Sequence, residues 1–195
     1  MKRLLDIVSS SIVLILLSPL WLVIALLIVC ESRGGVFYRQ IRVGKDNRDF
    51  YLYKFRTMRP DSDKKGLLTV GERDSRVTRV GYFLRKYKLD EFPQLINVLK
   101  GDMSIVGPRP EVRKYVDMYT PEQMRVLSVR PGLTDLASIQ YVHENELLAA
   151  SDNPEQTYID QVMPAKLQLN LQYIDNQSLW GDIKLIFQTF AAILH

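Results

Sequence analysis

The sequence predicts a mainly helical α+β fold, in which an N-terminal membrane helix precedes a small domain with one β-hairpin. Residues 7–30 are predominantly apolar, and a run of this length can enter a bilayer. Two neighbouring stretches rich in β-branched and aromatic residues follow, and apolar residues then recur at helical spacing. We therefore divide the 195-residue chain into a membrane anchor, residues 1–33, and a cytosolic domain with some interfacial helices, residues 34–195.

The composition is that of a folded domain with a small excess of basic residues. The formal net charge is +4, from 26 lysines and arginines against 22 aspartates and glutamates. This balance suits anionic partners such as phosphates or a lipid surface. No recognised nucleic-acid motif accompanies it, so we expect no nucleic-acid partner. The single cysteine, Cys30, excludes an internal disulfide, and the chain shows no zinc-type spacing.

The apolar run is interrupted in its middle by Ser18-Pro19. Proline removes a backbone hydrogen bond and bends a helix, and the Ser18 hydroxyl can bond a freed carbonyl group. Basic residues lie on both flanks of the run, with Lys2 and Arg3 before it and Arg33 after it. A single span has one basic side. The flanks therefore favour a re-entrant helix that enters and leaves on the same face, although a kinked span also fits these residues.

A β-hairpin is predicted from residues 36–43 and 50–57, which flank a turn-like segment. Lys54 and Arg56 are two residues apart on the second strand and would share one face of it. Two interpretations of this pair stay open: a phosphate-binding pair, or a solvated strand face near acidic lipids. The polar segment that follows, residues 60–72, is predicted to be a loop.

Residues 87–110 hold the densest group of candidate site residues. Asp90 and Glu91 are adjacent carboxylates where a helix is predicted to begin, with Pro93 in its first turn and Gly101 as its stop. A helix N-terminus favours the ionised carboxylate, and its free N–H groups can hold a phosphate. Asp90 is thus either a charged nucleophile beside a phosphate site or a simple N-cap.

Two arginines favour the first of these interpretations. A helix predicted over residues 77–87 would deliver Arg85 toward Asp90. In Gly107-Pro108-Arg109-Pro110 the prolines fix the backbone and so orient the Arg109 guanidinium, which can bind a phosphate through two parallel hydrogen bonds.

Further helices are predicted to begin at Thr120, at residues 152–155 and at Met163. A last helix over residues 178–194 is expected to pack on the core with partial membrane contact.

Together these pieces resemble the small monotopic phosphoglycosyl transferases of bacteria, the bacterial sugar transferase family. Each piece is unspecific by itself, but the set runs in order over nearly the whole chain. The matching pieces are Ser18-Pro19 and segments 53–58, 89–94, 97–104, 106–110 and 129–134. Beyond residue 134 the chain departs from the sequence of many members, so the resemblance implies no particular sugar.

The resemblance implies a reaction and a location. A sugar-1-phosphate passes from a UDP-sugar to a polyprenyl phosphate such as undecaprenyl phosphate, UMP leaves, and membrane glycan assembly begins. The break at Ser18-Pro19 would make a re-entrant anchor. The protein would then be monotopic, in contact with membrane lipid at the cytoplasmic face of the bacterial inner membrane. Its assembly state stays open, with a homodimer as one form.

The resemblance also implies roles for individual residues. Asp90 would be the nucleophile that forms a phosphosugar-aspartyl intermediate, and Glu91 together with Asp90 would bind Mg²⁺. Some members carry a functional aspartate near the last helices, where this chain has Asn170, so that role is open, with Asp160 as a substitute. The residues expected to bind the substrate and its phosphates are Lys54, Arg56, Arg85, Pro108, Arg109, Pro110 and Arg130.

Other function classes are weighed against this one. Direct attack by the lipid phosphate in a ternary complex keeps the same substrates and lacks the covalent intermediate. A membrane-anchored adaptor would need only the anchor and the basic hairpin. A glycosidase needs two carboxylates on either side of the bond that it cleaves. Asp90 and Glu91 are adjacent residues, whose side chains point about 100° apart on a helix, so this pair does not suit a glycosidase.

Overall fold

The structure is a computed structural model that describes residues 1–60, 62 and 74–194. Over these residues the fold is mixed and mostly helical, with two small two-stranded sheets, which confirms the predicted class in its coarse form. The loop predicted over residues 60–72 lies largely outside the described residues. The helices are α1 (Lys2–Leu16), α2 (Ser18–Glu31), α3 (Arg79–Lys86), α4 (Gln94–Lys100), α5 (Arg113–Val116), α6 (Leu136–Gln140), α7 (Glu144–Ala149), α8 (Pro154–Thr157), α9 (Met163–Asp175) and α10 (Leu179–Leu194). The strands are β1 (Phe37–Val43), β2 (Asp49–Phe55), β3 (Ser104–Val106) and β4 (Gly132–Thr134).

The N-terminal apolar run folds as two helices that meet at Leu17 with a bend of 62°. Pro19 lies in the first turn of α2, where its missing N–H costs little. The Ser18 hydroxyl donates to the Ile15 carbonyl at 2.8 Å. The predicted break is confirmed. Among the described helices none alone has the length and apolar character to cross a membrane, whereas α1 and α2 together meet that criterion by length and composition.

Helix α1 turns its polar side chains inward and its apolar side chains outward. Asp6 and Ser10 are buried, while most of its leucines, isoleucines and valines are exposed. The Asp6 carboxylate accepts hydrogen bonds from Ser104 Oγ at 2.9 Å and from the Ile105 N–H at 3.1 Å. Arg3 donates to two carbonyl groups near the end of α4, at 2.6 and 3.0 Å. Polar contacts therefore fix the start of α1 against the following domain.

The end of α2 returns to the same domain. The Glu31 carboxylate accepts hydrogen bonds from the backbone N–H groups of Arg79 at 2.7 Å and Val80 at 2.8 Å, at the start of α3. The Arg56 guanidinium donates to the carbonyl groups of residues 32, 33 and 35, just after α2, at 2.6–2.9 Å. The helix pair thus begins and ends against one folded unit.

The predicted β-hairpin is confirmed, and β1 pairs antiparallel with β2 over its whole length. The turn between them holds Asp46 and Asn47 with φ of 56° and 59°, a conformation that asparagine and aspartate adopt more readily than other residues. Phe55, at the end of β2, packs with Leu84 of α3 and Ile28 of α2 in one buried cluster. This cluster joins the hairpin to the helix pair.

A second sheet, β3 with β4, was not predicted. The two strands run parallel, with Ser104 beside Gly132, and three residues are too few for an alternating pattern to reveal a strand. Their close approach requires glycine, because a Cβ on Gly132 would lie 2.2 Å from the backbone N and O of Gly107. This contact fixes the backbone that leads into Pro108-Arg109-Pro110.

The segment that carries the adjacent carboxylates starts differently from the prediction. Asp90 and Glu91 lie in a 3-10 turn, and α4 begins only at Gln94, preceded by Pro93. Asp90 is therefore not the N-cap of α4. Gly101 ends this helix with φ of 94°, as predicted, because glycine adopts the left-handed conformation without steric cost.

The C-terminal helices follow the predictions in part. Thr120 and Gln123 exchange the hydrogen bonds of a capping box, but the helix that follows is a 3-10 helix. The helix expected to start at Met163 instead continues from α8, because a π-helical segment, Tyr158–Val162, joins α8 to α9. The last predicted helix is confirmed as α10.

Candidate active site

The adjacent carboxylates lie where the hairpin, the 3-10 turn and the segment after β3 meet. Glu91 accepts a hydrogen bond from Lys54 Nζ, on β2, at 3.0 Å. It also accepts two from the Arg109 guanidinium, at 2.5 and 3.3 Å. The fold therefore brings together Lys54, Asp90, Glu91 and Arg109, four residues that were predicted from the sequence to share one site.

Asn97 of α4 positions the carboxylate turn beside the hairpin. Its side chain is fully buried. Its Oδ1 accepts a hydrogen bond from the Tyr53 N–H at 3.0 Å, and its Nδ2 donates to the Tyr51 carbonyl at 2.7 Å. The carboxamide thereby serves as a hydrogen-bonding partner for the outer edge of β2. Asn97 lies in one of the segments that carried the resemblance, but no role was predicted for it from the sequence.

Arg109 is held by its backbone as well as by its side chain. Its N–H donates to the buried Asp135 carboxylate at 3.0 Å, and Asp135 also caps α6. The Pro108 carbonyl accepts a hydrogen bond from the first N–H of β4 at 2.9 Å. The Pro110 carbonyl accepts one from Arg42 at 3.1 Å. With both prolines restrained, the guanidinium reaches Glu91 from a rigid support.

The two carboxylates have opposite pKa shifts. Asp90 is 6% exposed; burial raises its pKa, Lys54 opposes this, and the Glu91 charge adds to it. Burial also acts to raise the pKa of Glu91, but the charges of Arg109 and then Lys54 outweigh it and hold this pKa well below its ordinary value. Glu91 is therefore a fixed anion, and Asp90 is the member of the pair whose protonation is tunable.

The Asp90 carboxylate lies among cations whose charges act on it. No described residue donates a hydrogen bond to its carboxylate. Arg85 donates its Nε–H to the Thr57 hydroxyl at 2.9 Å, and its charge lowers the pKa of Asp90. Burial lowers the pKa of Lys54, although the Glu91 charge counteracts it. Partly buried cations of this kind are suited to binding phosphate oxygens.

Two predicted substrate-binding residues lie elsewhere. Arg56 is buried and donates to the backbone after α2, so it secures the end of the helix pair. Arg130 donates to the Gly101 carbonyl at 2.8 Å, at the end of α4, roughly 10 Å along the helix from the carboxylate turn. Both guanidinium groups donate to backbone carbonyls that directly follow a helix.

Asp160 and Asn170, the two positions considered for the role of the additional aspartate, lie in different surroundings. Asp160 is exposed, and its carboxylate accepts a hydrogen bond from Gln156 at 2.8 Å. Asn170 is buried and lines a cleft that Arg109 also lines. Of the two positions, only Asn170 adjoins the candidate site.

The carboxylate pair suits a metal ion that is shared with a phosphate ligand. The described part of the chain contains no group of three or more acidic, histidine or cysteine side chains that could hold a metal by itself. Glu91 and Asp90 offer two carboxylates, and Glu91 is already shared with Lys54 and Arg109. Mg²⁺ is often held in this way, by one or two carboxylates together with substrate phosphates.

Comparison with known proteins identifies relatives of this chain. The family model described as bacterial sugar transferase matches residues 1–195. The chain is 44% identical to a UDP-N-acetylgalactosamine-undecaprenyl-phosphate N-acetylgalactosaminephosphotransferase from Aeromonas hydrophila, over 99% of this chain and 43% of the relative. It is 37% identical to a UDP-glucose:undecaprenyl-phosphate glucose-1-phosphate transferase from Caulobacter vibrioides, over 99% of this chain and 69% of the relative.

A shorter relative is matched along most of its length. The chain is 37% identical to the uncharacterized sugar transferase EpsL of Bacillus subtilis, over 100% of this chain and 87% of that protein. The chain thus spans less than half of the Aeromonas relative but most of the other two.

Replacement of Asn97 by leucine should destabilise the fold. The Asn97→Leu variant would leave the Tyr53 N–H and the Tyr51 carbonyl without their partner, and we expect a loss of about 2–4 kcal/mol in the free energy of unfolding. Denaturant unfolding in detergent measures this loss. Lys100→Ala, an exposed change on the same helix, is the control and should unfold like the wild type. An Asn97→Leu variant as stable as Lys100→Ala would contradict the role given to the carboxamide.

Proposed function

The chain belongs to the bacterial sugar transferase family, and from this we propose that it transfers a sugar-1-phosphate from a UDP-sugar to undecaprenyl phosphate or a related polyprenyl phosphate. UMP is the second product, and the reaction starts the assembly of a membrane glycan. The observation that carries the proposal is the buried Asp90 carboxylate, which lies beside the Glu91–Arg109 ion pair and near Lys54. The names of the relatives from Aeromonas and Caulobacter support the substrate classes.

The proposed reaction proceeds in two displacements at one phosphorus atom. Asp90 attacks the phosphorus that carries the sugar, the P–O bond to the α-phosphate breaks, and UMP leaves with the electron pair. A phosphate oxygen of the polyprenyl phosphate then attacks the same phosphorus, and the Asp90 carboxylate leaves. A nucleophile of this kind must have free lone pairs, and none of the residues that the structure describes hydrogen-bonds to the Asp90 carboxylate.

The basic residues neutralise the charge of the diphosphate. Lys54 and Arg85 act on Asp90 electrostatically, and Arg109 offers a rigid guanidinium beside it. Preorganised cations of this kind stabilise charge that develops on phosphate oxygens. Glu91, beside Asp90, would hold Mg²⁺ together with the substrate phosphates, and the bound ion would further neutralise the leaving phosphate.

The decisive experiment is UMP release by the full chain in lipid nanodiscs, with a panel of UDP-sugars, undecaprenyl phosphate and Mg²⁺. We expect Asp90→Asn to lower the rate at least about 1,000-fold, because the nucleophile is lost. Asp160→Asn, which removes an exposed carboxylate, is the matched control and should keep the wild-type rate. UMP release at the wild-type rate by Asp90→Asn would refute the nucleophile.

The ternary-complex alternative is separated by a second measurement on the same protein. Without undecaprenyl phosphate, a UDP-sugar labelled in the sugar should leave its label on the wild-type chain and not on Asp90→Asn. Turnover in the complete reaction without any label on the protein would favour direct attack by the lipid phosphate.

The pH dependence should follow the pKa of Asp90. Attack needs the anionic carboxylate, so the rate falls as the pH drops through this pKa. Burial raises the pKa, and the Lys54 charge lowers it. Lys54→Gln should therefore move the acid limb of the kcat/KM profile to higher pH, whatever it does to the maximal rate. Lys100→Gln, which removes an exposed lysine, should leave the limb in place. A limb that stays or moves to lower pH in Lys54→Gln would contradict this assignment.

For location, we propose that α1 and α2 form a re-entrant anchor at the cytoplasmic face of the inner membrane, so that the protein is monotopic. Both ends of the pair are held by the same domain. The helices are roughly 22 and 21 Å long, so a bend of 62° puts their vertex roughly 11 Å below the line that joins their ends. One leaflet contributes about 15 Å of hydrocarbon. The exposed apolar side chains support this surface, among them Leu4, Ile12, Ile15, Leu22, Leu26 and, on α10, Trp180 and Phe187.

Epitope tags before residue 1 and after residue 195 test this topology. A re-entrant anchor places both tags on the cytoplasmic side, so both should be cleaved by protease in inverted vesicles and protected in right-side-out vesicles. A spanning helix places them on opposite sides of the membrane, and differential cleavage would refute the proposal.

A further inference from the structure

Thr57, which lies just beyond the end of β2, packs its backbone against the start of α3. Its carbonyl oxygen accepts hydrogen bonds from the Thr78 N–H at 2.9 Å and from the Thr78 hydroxyl at 3.3 Å, at the N-cap of α3. A Cβ on Gly81, in the first turn of this helix, would lie 2.0 Å from the same oxygen. Only glycine therefore fits at position 81, and the start of α3 is held directly on the chain that leaves the hairpin.

The hydroxyl group of Thr57 makes a second contact, one turn further along α3. Its Oγ1 accepts a hydrogen bond from the Arg85 Nε–H at 2.9 Å. Gly81 and Arg85 are four residues apart, so they lie on the same face of the helix, roughly 6 Å apart along its axis. Thr57 thus holds the backbone of α3 with its carbonyl group and a side chain of α3 with its hydroxyl group.

Packing by itself does not account for a hydroxyl group at this position. Thr57 is 6% exposed, and a buried hydroxyl group costs free energy unless it is hydrogen-bonded. Valine has nearly the same shape without the polar atom, and it would keep the carbonyl contacts with Thr78. The interaction that valine would lose is the hydrogen bond to Arg85. The hydroxyl group therefore serves the guanidinium of Arg85.

This guanidinium lies near the proposed nucleophile. Burial lowers the pKa of Arg85, and the charge of Asp90 counteracts this shift. The Arg85 charge in turn lowers the pKa of Asp90. An arginine side chain has several rotatable bonds, and a hydrogen bond to its Nε–H fixes the plane of the guanidinium. Thr57 thereby limits the positions that the Arg85 charge can take relative to Asp90.

We propose that Thr57 is a positioning residue for the sugar-phosphate transfer, whose hydroxyl group holds the Arg85 guanidinium where negative charge develops on the reacting phosphate. The inference rests on the proposed function and adds a residue that acts through Arg85. Preorganised charges stabilise a transition state because they need no rearrangement during the reaction. Without the Thr57 hydroxyl the guanidinium keeps its charge and loses its fixed direction. The loss should therefore appear in kcat and not in the KM for the UDP-sugar.

The test measures kcat and KM for UMP release by the full chain in nanodiscs, with the UDP-sugar that the wild type uses. Thr57→Val should lower kcat about tenfold and leave the KM for the UDP-sugar nearly unchanged. Thr57→Ser, which keeps the hydroxyl group, should retain most of the wild-type kcat. Thr189→Val is the matched control, because it removes a hydroxyl group of α10 that is hydrogen-bonded to Thr134. This variant should keep the wild-type kcat.

A double-mutant cycle with Arg85→Lys tests whether Thr57 acts through Arg85. Lysine keeps the positive charge but has a methylene group in place of Nε, so the hydrogen bond to Thr57 is already absent. Thr57→Val should then cause no further loss of kcat. Losses that multiply in the double variant would overturn the proposal. A wild-type kcat in Thr57→Val would also overturn it, and so would a Thr57→Ser variant that is as slow as Thr57→Val.

If Thr57→Val does not fold, Thr57→Ala, which removes the hydroxyl group and adds no bulk, takes its place in each comparison. A wild-type kcat in Thr57→Ala would overturn the proposal in the same way. A wild type that releases UMP, together with Thr57 variants that match it, refutes only the role of Thr57. A wild type that releases no UMP from any UDP-sugar refutes the proposed function and this inference with it.

Discussion

The ion pairs of Glu91 with Lys54 and Arg109 are the interactions on which the rest of this site depends. They join three segments whose members are 37 and 18 residues apart in the sequence. A buried carboxylate is stable only when it is paired, and removal of one partner leaves an uncompensated charge. The packing around them supplies the geometry: Asn97 docks the carboxylate turn on the hairpin, and Asp135 fixes the backbone of Arg109. The ion pairs of Glu91 are thus strong because the hairpin, the carboxylate turn and the Arg109 segment that carry the charges are themselves held in place.

The helix pair is attached to the elements that build this site. Arg3 binds the end of α4, whose other end follows the carboxylate turn, and Asp6 binds β3, which leads into the Arg109 segment. The contacts are polar and lie near the start of α1, whereas the outward surface of the pair is apolar. One helix pair can therefore both present an apolar surface and support the carboxylate site, because the two tasks use different faces.

Features that depend on neighbouring residues could be predicted from the sequence, whereas features that depend on distant partners could not. The hairpin and the Ser18-Pro19 break follow from local patterns, and the structure has both. The parallel pairing of β3 and β4 depends on a glycine contact between distant segments, and no local signal announces it. Arg56 and Arg130 were expected to bind substrate because they are basic and lie near the motifs. In the structure both donate to backbone carbonyls, a use that residue type alone does not distinguish from phosphate binding.

The difference between the two adjacent carboxylates favours Asp90 as the reactive group. Glu91 receives three hydrogen bonds from Lys54 and Arg109. The Arg109 and Lys54 charges behind these bonds hold its pKa well below the ordinary value, and the bonds take up three of the about four lone-pair sites of the carboxylate. Asp90 is buried beside the same cations, its pKa is raised, and its oxygens accept no hydrogen bond from the described residues. A raised pKa makes the anion more basic and so a stronger nucleophile once ionised, while the nearby positive charges keep ionisation accessible. The 3-10 turn makes this division of roles possible, since it places one carboxylate in the ion pair and leaves its neighbour outside it.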